Sequence, residues 1–203
     1  SRAMELLITS ANPKSLIFGK VLGTGLAGLA QITILLGWGL ICLMLNKKYF
    51  VGNEVFEMFS SISPSLVIYT IVFFVLGFLL YAFLMGGMGS MATKLEDVGT
   101  LTMPALFTFV ISFVASISFL SAGSVDSTIM KVLSFIPFTS PMAMFARICM
   151  GTATTIEALI AIVILIVSII VIGYFAVAIY RIGILMYGKP PKFNEIIRTL
   201  KKK

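Results

Sequence analysis

Histidine is absent from this sequence, and cysteine occurs only as Cys42 and Cys149. That excludes a Cys/His metal centre and a disulfide framework, leaving either one bridge or two thiols in apolar surroundings. Without histidine the commonest general base is missing, and no nucleophile-base pair is apparent. Charge is scarce too: Asp, Glu, Lys and Arg make up 11% of the chain, where soluble domains carry about a quarter. Acids are the rarer sign, 8 against 15 basic residues, for a net charge of +7. No Gly-rich loop ends in Lys-Ser or Lys-Thr to cradle a nucleotide's phosphates. The long apolar runs hold no ionisable group mid-run, which argues against a proton or ion relay through them.

What fills the 203 residues instead is apolar surface, 59% hydrophobic with a mean hydropathy of +1.10. Four runs are long enough to cross a hydrocarbon core: residues 22–44, 66–85, 104–122 and 156–178. The fold class is therefore all-α, a polytopic membrane helix bundle forming one transmembrane domain over 1–203. The positive charge suits anionic lipid headgroups, not nucleic acid. Glu157 is the single charge within these limits, and its spacing from Thr154 is that of a capping box. Placing the N-terminus inside puts Arg2, Lys14, Lys20, Lys94, Arg181, Lys189, Lys192, Arg198 and Lys201 to Lys203 in the cytoplasm. Only Lys47, Lys48, Lys131 and Arg147 then lie outside, the asymmetry expected of a cell-membrane protein with both of these ends cytoplasmic.

The segments between the runs carry the punctuation. Residues 4–20 form a short amphipathic stretch, with Leu6, Leu7 and Ile8 on one side and Glu5, Thr9, Ser10 and Asn12 on the other. Pro13 bends it, because it lacks a backbone donor and disfavours helix at Asn12. On the inner face such a piece either anchors at the headgroups or docks a cytoplasmic partner. The first outer connection has Val55, Phe56, Phe59 and Ile62 at helical spacing, and Ser63-Pro64 reads as a helix cap followed by proline in the first turn. Gly86, Gly87 and Gly89 interrupt the end of the second run, an inner turn carries Glu96 and Asp97, and Pro104 starts the third. In the second outer connection, Pro137 breaks one short apolar helix. Ser140-Pro141 starts another, which ends near Gly151 and contains Arg147. Two helices too short to span suggest a hairpin dipping into the outer leaflet or lying at the interface. A Gly/Pro stop and a basic tail follow the fourth run.

Gly23-Thr24-Gly25-Leu26-Ala27-Gly28 matches the dinucleotide-binding pattern letter for letter, but no strand precedes it and the next acid is Glu54, so it is rejected. Gly19, Gly23, Gly25 and Gly28 instead permit close helix approach. Gln31, the strongest polar residue of the first run, suits either an interhelical hydrogen bond or a pathway.

The opening 1–10 segment, with Pro13, Leu16, Gly19-Lys20 and Gly23, resembles the coupling segment of the type-2 ABC exporter permeases, in particular the sodium-export and drug-export branch. The likeness continues through the inner turn, through Ile136-Pro137-Phe138-Thr139-Ser140-Pro141-Met142 with Arg147, and through the closing Tyr180-Arg181 to Tyr187-Gly188-Lys189 run. It implies that this is the C-terminal membrane region of a longer permease. It also implies an ATPase subunit contacted by Glu5, Thr9, Ser10, Asn12, Lys14, Glu96 and Asp97, and a second permease copy. A re-entrant outer pair punctuated by Pro137, Ser140, Pro141 and Arg147 follows from the same likeness. ATP and magnesium would belong to the partner subunit, with no cofactor in this chain and no enzymatic step of its own. A membrane scaffold without transport and a passive ion pathway are the competing readings.

Overall fold

The structure, a computed structural model, describes residues 13–45, 63–92 and 94–185. Six helices follow in order: α1 (Pro13–Leu45), α2 (Pro64–Gly89), α3 (Leu95–Ser121), α4 (Thr128–Phe135), α5 (Ser140–Cys149) and α6 (Thr155–Leu185), with no strand among the described residues. The four long ones, α1, α2, α3 and α6, are apolar and long enough to cross a membrane.

The expected start signals act where the spacing places them. Ser63 Oγ accepts from the Leu66 N–H at 3.4 Å, with Pro64 in the first turn of α2. At the head of α6 the Thr154 N–H donates to Glu157 Oε2 at 2.8 Å, and the Glu157 N–H to Thr154 Oγ1 at 3.2 Å. This is the reciprocal box, which satisfies two donors that a helix start leaves open.

Three boundaries differ from the sequence reading. Pro13 opens α1, so Lys14, Gly19 and Lys20 belong to the same continuous helix as the first apolar run. Proline fits a first helical position because its missing N–H has no partner there anyway. Helix α3 begins at Leu95, and Pro104 lies inside it. The Lys94 N–H donates to Asp97 Oδ2 at 3.2 Å and so holds an earlier start, at the cost of one missing backbone bond at Pro104. Gly86, Gly87 and Gly89 do not interrupt α2, which runs through all three. A Cβ on Gly87 would meet Ala176 Cα at 3.0 Å, so that glycine lets the α2 and α6 backbones approach.

Helices α2 and α6 form the central pair, and the core has three parts. Phe73, Leu80 and Tyr81 of α2 pack with Met144 of α5 and with Ala161 and Leu165 of α6. Ile17 and Val21 of α1 pack with Phe83 and Ala176 nearer the opposite end. Val125, Met130 and Ala143 hold α4 to α5. Helix α1 packs on the bundle through its first half. Ile17, Val21 and Gly25 are buried in steps of four, whereas Ile34, Leu35, Trp38, Ile41 and Met44 further along are exposed.

Candidate functional site

Buried polar side chains are the place to look for chemistry in so apolar a bundle. Among the described residues they are Ser112, Ser116, Ser134, Ser140 and Arg147. Ser112 and Ser116 lie on one face of α3, and the other three on α4 and α5. The polar interior is thus concentrated around the α4–α5 hairpin.

Two attachments hold the hairpin. The first is at the head of α6. Arg147, 1% exposed, donates from Nη2 to Glu157 Oε1 and Oε2, both at 3.2 Å, and to the Thr152 carbonyl at 3.3 Å. Asp126 Oδ1 stands 3.9 Å from the same nitrogen and 2.9 Å from Lys131 Nζ. Nε and Nη1 of Arg147 are buried without a hydrogen-bond partner among the described residues, as is Ser140 Oγ. The sequence reading placed Arg147 in the outer helix pair and gave Glu157 a capping role, without pairing the two. The structure joins them into a buried ion pair between α5 and α6.

The second attachment is at the turn between α4 and α5. The Tyr81 hydroxyl of α2 donates to the Phe138 carbonyl at 2.7 Å. Ser112 Oγ lies 3.4 Å from that carbonyl while donating to Thr108 O at 2.7 Å. Pro141 sits on Gly77 of α2 so closely that a Cβ there would meet Pro141 Cβ at 2.8 Å. The cap of α5 is Thr139 and not Ser140, which is the first helical residue and is fully buried. Pro137 occupies the turn itself, half-buried. Tyr81 and Gly77 were missed from the sequence. The one signal for them is a tyrosine and a glycine on the later half of a run made mostly of Leu, Phe, Val and Ile.

Left-handed glycines bracket the hairpin. Gly123 (φ 66°) follows α3 and Gly151 (φ 67°) follows α5. Each closes its helix with the paired bonds of a Schellman turn, the Gly151 N–H to Ile148 O and the Thr152 N–H to Arg147 O, both at 3.0 Å.

The other expected site residues are dispersed. Glu5, Thr9, Ser10 and Asn12 lie outside the described residues, as do Val55, Phe56, Phe59, Ile62 and the basic tail. Lys14 is in the first turn of α1. Asp97 caps α3 and Glu96 is exposed beside it. A Cβ added at Gly19, Gly23 or Gly28 would meet nothing within 4 Å, and Gln31 is exposed. It is Gly25 that makes the close approach, onto the Phe78 ring. No disulfide joins Cys42 to Cys149, and both are exposed.

Residues 1–180 match the profile of the ABC-2 family transporter protein. The chain belongs to the ABC-2 transporter family. Two relatives are similar along the whole chain. The uncharacterized protein YhaP of Bacillus subtilis is 36% identical over 203 residues, which are 99% of this chain and 48% of YhaP. The uncharacterized protein MJ1024 of Methanocaldococcus jannaschii is 31% identical over 205 residues, 100% of this chain and 47% of MJ1024. The chain thus spans about half the length of the curated relatives it matches. No solved structure matches it. Four apolar helices and the ABC-2 match make it a membrane protein of that family.

Proposed function

We propose that the chain is the membrane-spanning part of an ATP-driven exporter of the sodium-export or drug-export kind, a permease that a separate ATPase subunit powers. The ABC-2 match over residues 1–180 carries this reading. Membrane proteins of that family generally work with an ATPase subunit, and this sequence has no phosphate-binding loop of its own. Two permease copies would enclose the pathway, with ATP and magnesium held by the partner subunits and anionic lipid around the basic ends. Pro13, the turn after Gly89 and the end of α6 would then face the cytoplasm, in keeping with the positive-inside rule. The α4–α5 hairpin would lie on the outer side.

Coupling in this reading enters through residues 4–20 and the turn bearing Glu96 and Asp97. Because Lys14 and Lys20 share a helix with the first span, motion of the opening segment passes straight to Ile17 and Val21 and so to Phe83 and Ala176. The test is Glu5→Lys in the full-length protein. If Glu5 pairs with a basic group of the ATPase, reversal should leave insertion intact and abolish co-purification, or uncouple hydrolysis from transport. Leu7→Ala should have the milder effect. Normal association and normal coupled hydrolysis in Glu5→Lys would remove that residue from the contact. A purified full-length protein that never brings down an ATPase would overturn the exporter reading itself.

A further inference from the structure

We propose that the row Gly23, Ala27 and Gln31 of α1 seats a further membrane span, one belonging to the part of the full-length protein outside these 203 residues. Gln31 supplies the interhelical hydrogen bond that fixes it. The proposal rests on reading the chain as part of a longer permease, but not on the ATPase.

Residues four apart lie almost above one another on a helix, and α1 presents three such rows. Ile17, Val21 and Gly25 are buried against α2 and α6. Phe18, Leu22 and Leu26 are exposed and wholly apolar, which suits lipid tails. Gly23, Ala27 and Gln31 are exposed too, and lipid does not suit them. Gln31 stands close to the middle of α1 and of the apolar run 22–44, deep in the hydrocarbon. Thr24 and Thr33 return their hydroxyls to carbonyls of the same helix, Lys20 O and Leu29 O, both at 2.8 Å. The Gln31 amide, with two donors and an acceptor, has no partner among the described residues. A polar group at that depth turns to another helix or to water. The two small residues below it favour a helix, because they let two backbones close up. A Cβ at Gly23 would meet nothing within 4 Å, so the approach is open.

Two occupants come into question, a second copy of α1 and a different span. A second copy laid row to row would pair Gln31 with itself. It would also bring two Lys20 side chains together, because Lys20 points between the directions of Gly23 and Gln31 at 3.6 residues per turn. Like charges facing each other oppose that contact. A different helix, with a hydrogen-bonding group opposite Gln31 and no basic residue opposite Lys20, avoids the conflict. Sequence for such a helix exists in the relatives, since the matched stretch is only 48% of YhaP and 47% of MJ1024.

The test uses the full-length protein in lipid. A photo-reactive residue placed at Ala27 should capture, on illumination, a peptide from outside residues 1–203, identified by mass spectrometry. The same residue placed at Leu26 should capture lipid. Mixing isotope-labelled with unlabelled copies tells contact within one copy from contact between two. Capture of residues 1–203 of another copy at Ala27 would overturn the proposal in favour of a dimer seam. Adducts of lipid or water alone at Ala27 would leave the row bare and overturn it as well. Equal capture of the outside peptide from Leu26 would refute the choice of face. Melting temperature gives a second reading with opposite signs. Gln31→Leu should lower it by roughly 2 °C, the loss of one interhelical bond, because the partner group is left unpaired. Were Gln31 in lipid, removing its amide would raise the melting temperature, so an unchanged or higher value overturns the proposal. Neither measurement needs the ATPase, so failure of the exporter reading would leave both results standing.

Discussion

Arg147 and Glu157 are bound to each other but are not equivalent. The arginine side chain is 1% exposed and that of the glutamate 28%. Glu157 keeps the Thr154 N–H and water if its partner goes, whereas the arginine would be left charged and buried. Breaking a buried pair is most costly when it strands the buried member. Glu157→Leu should therefore destabilise the protein by about 3 kcal/mol. Arg147→Met, which removes the buried charge and keeps much of the volume, should cost about 1 kcal/mol. Melting temperatures of the purified protein in one lipid or detergent check the order, and an Arg147→Met variant that melts below Glu157→Leu contradicts it. Sequence could not have ranked them. The partner lies ten residues away on another helix, and the capping spacing with Thr154 already accounted for Glu157.

At the scale of elements, the apolar runs and their start signals were legible because they are local. Hydrophobic length, Ser63-Pro64, the Thr154–Glu157 spacing and the glycine after α5 all act within one turn of the residues that carry them. What was not legible depends on contacts between helices. Pro104 looked like a beginning because proline favours first turns, yet the Lys94–Asp97 cap starts α3 earlier. Glycines sort the same way. A Cβ at Gly87 would press on the α6 backbone, and one at Gly77 on Pro141, while one at Gly19, Gly23 or Gly28 meets nothing. Gly87→Val should thus cost roughly 1–3 kcal/mol by overpacking, with lower yield and melting temperature. Gly28→Ala should leave both unchanged. If Gly28→Ala folds normally but loses transport, that face is packed by something other than this chain.

For the whole molecule, the bundle divides at mid-height. Where Ile17, Val21, Phe83 and Ala176 meet, α1, α2 and α6 are bound together. At the other end the hairpin packs beside α2, α3 and α6. The proposed sidedness predicts that a single cysteine at Ser124 labels from outside intact cells and one at Ser15 does not, in a background lacking the native cysteines. Labelling at Ser15 from outside would invert the arrangement. The seat of α1 also has a mechanical meaning. The helix is continuous, and its backbone at Gly25 bears on the Phe78 ring. Gly25 is then the fulcrum of a lever with a short arm of about 18 Å towards Pro13 and a long arm of about 30 Å towards Leu45. A tilt of about 5° that shifts the short arm by about 1.6 Å swings the long arm by about 2.6 Å the other way. A modest push at the Pro13 end would thereby be enlarged and reversed at the Leu45 end, and it would bear on Phe83 and Ala176, which pack against Ile17 and Val21 of the short arm.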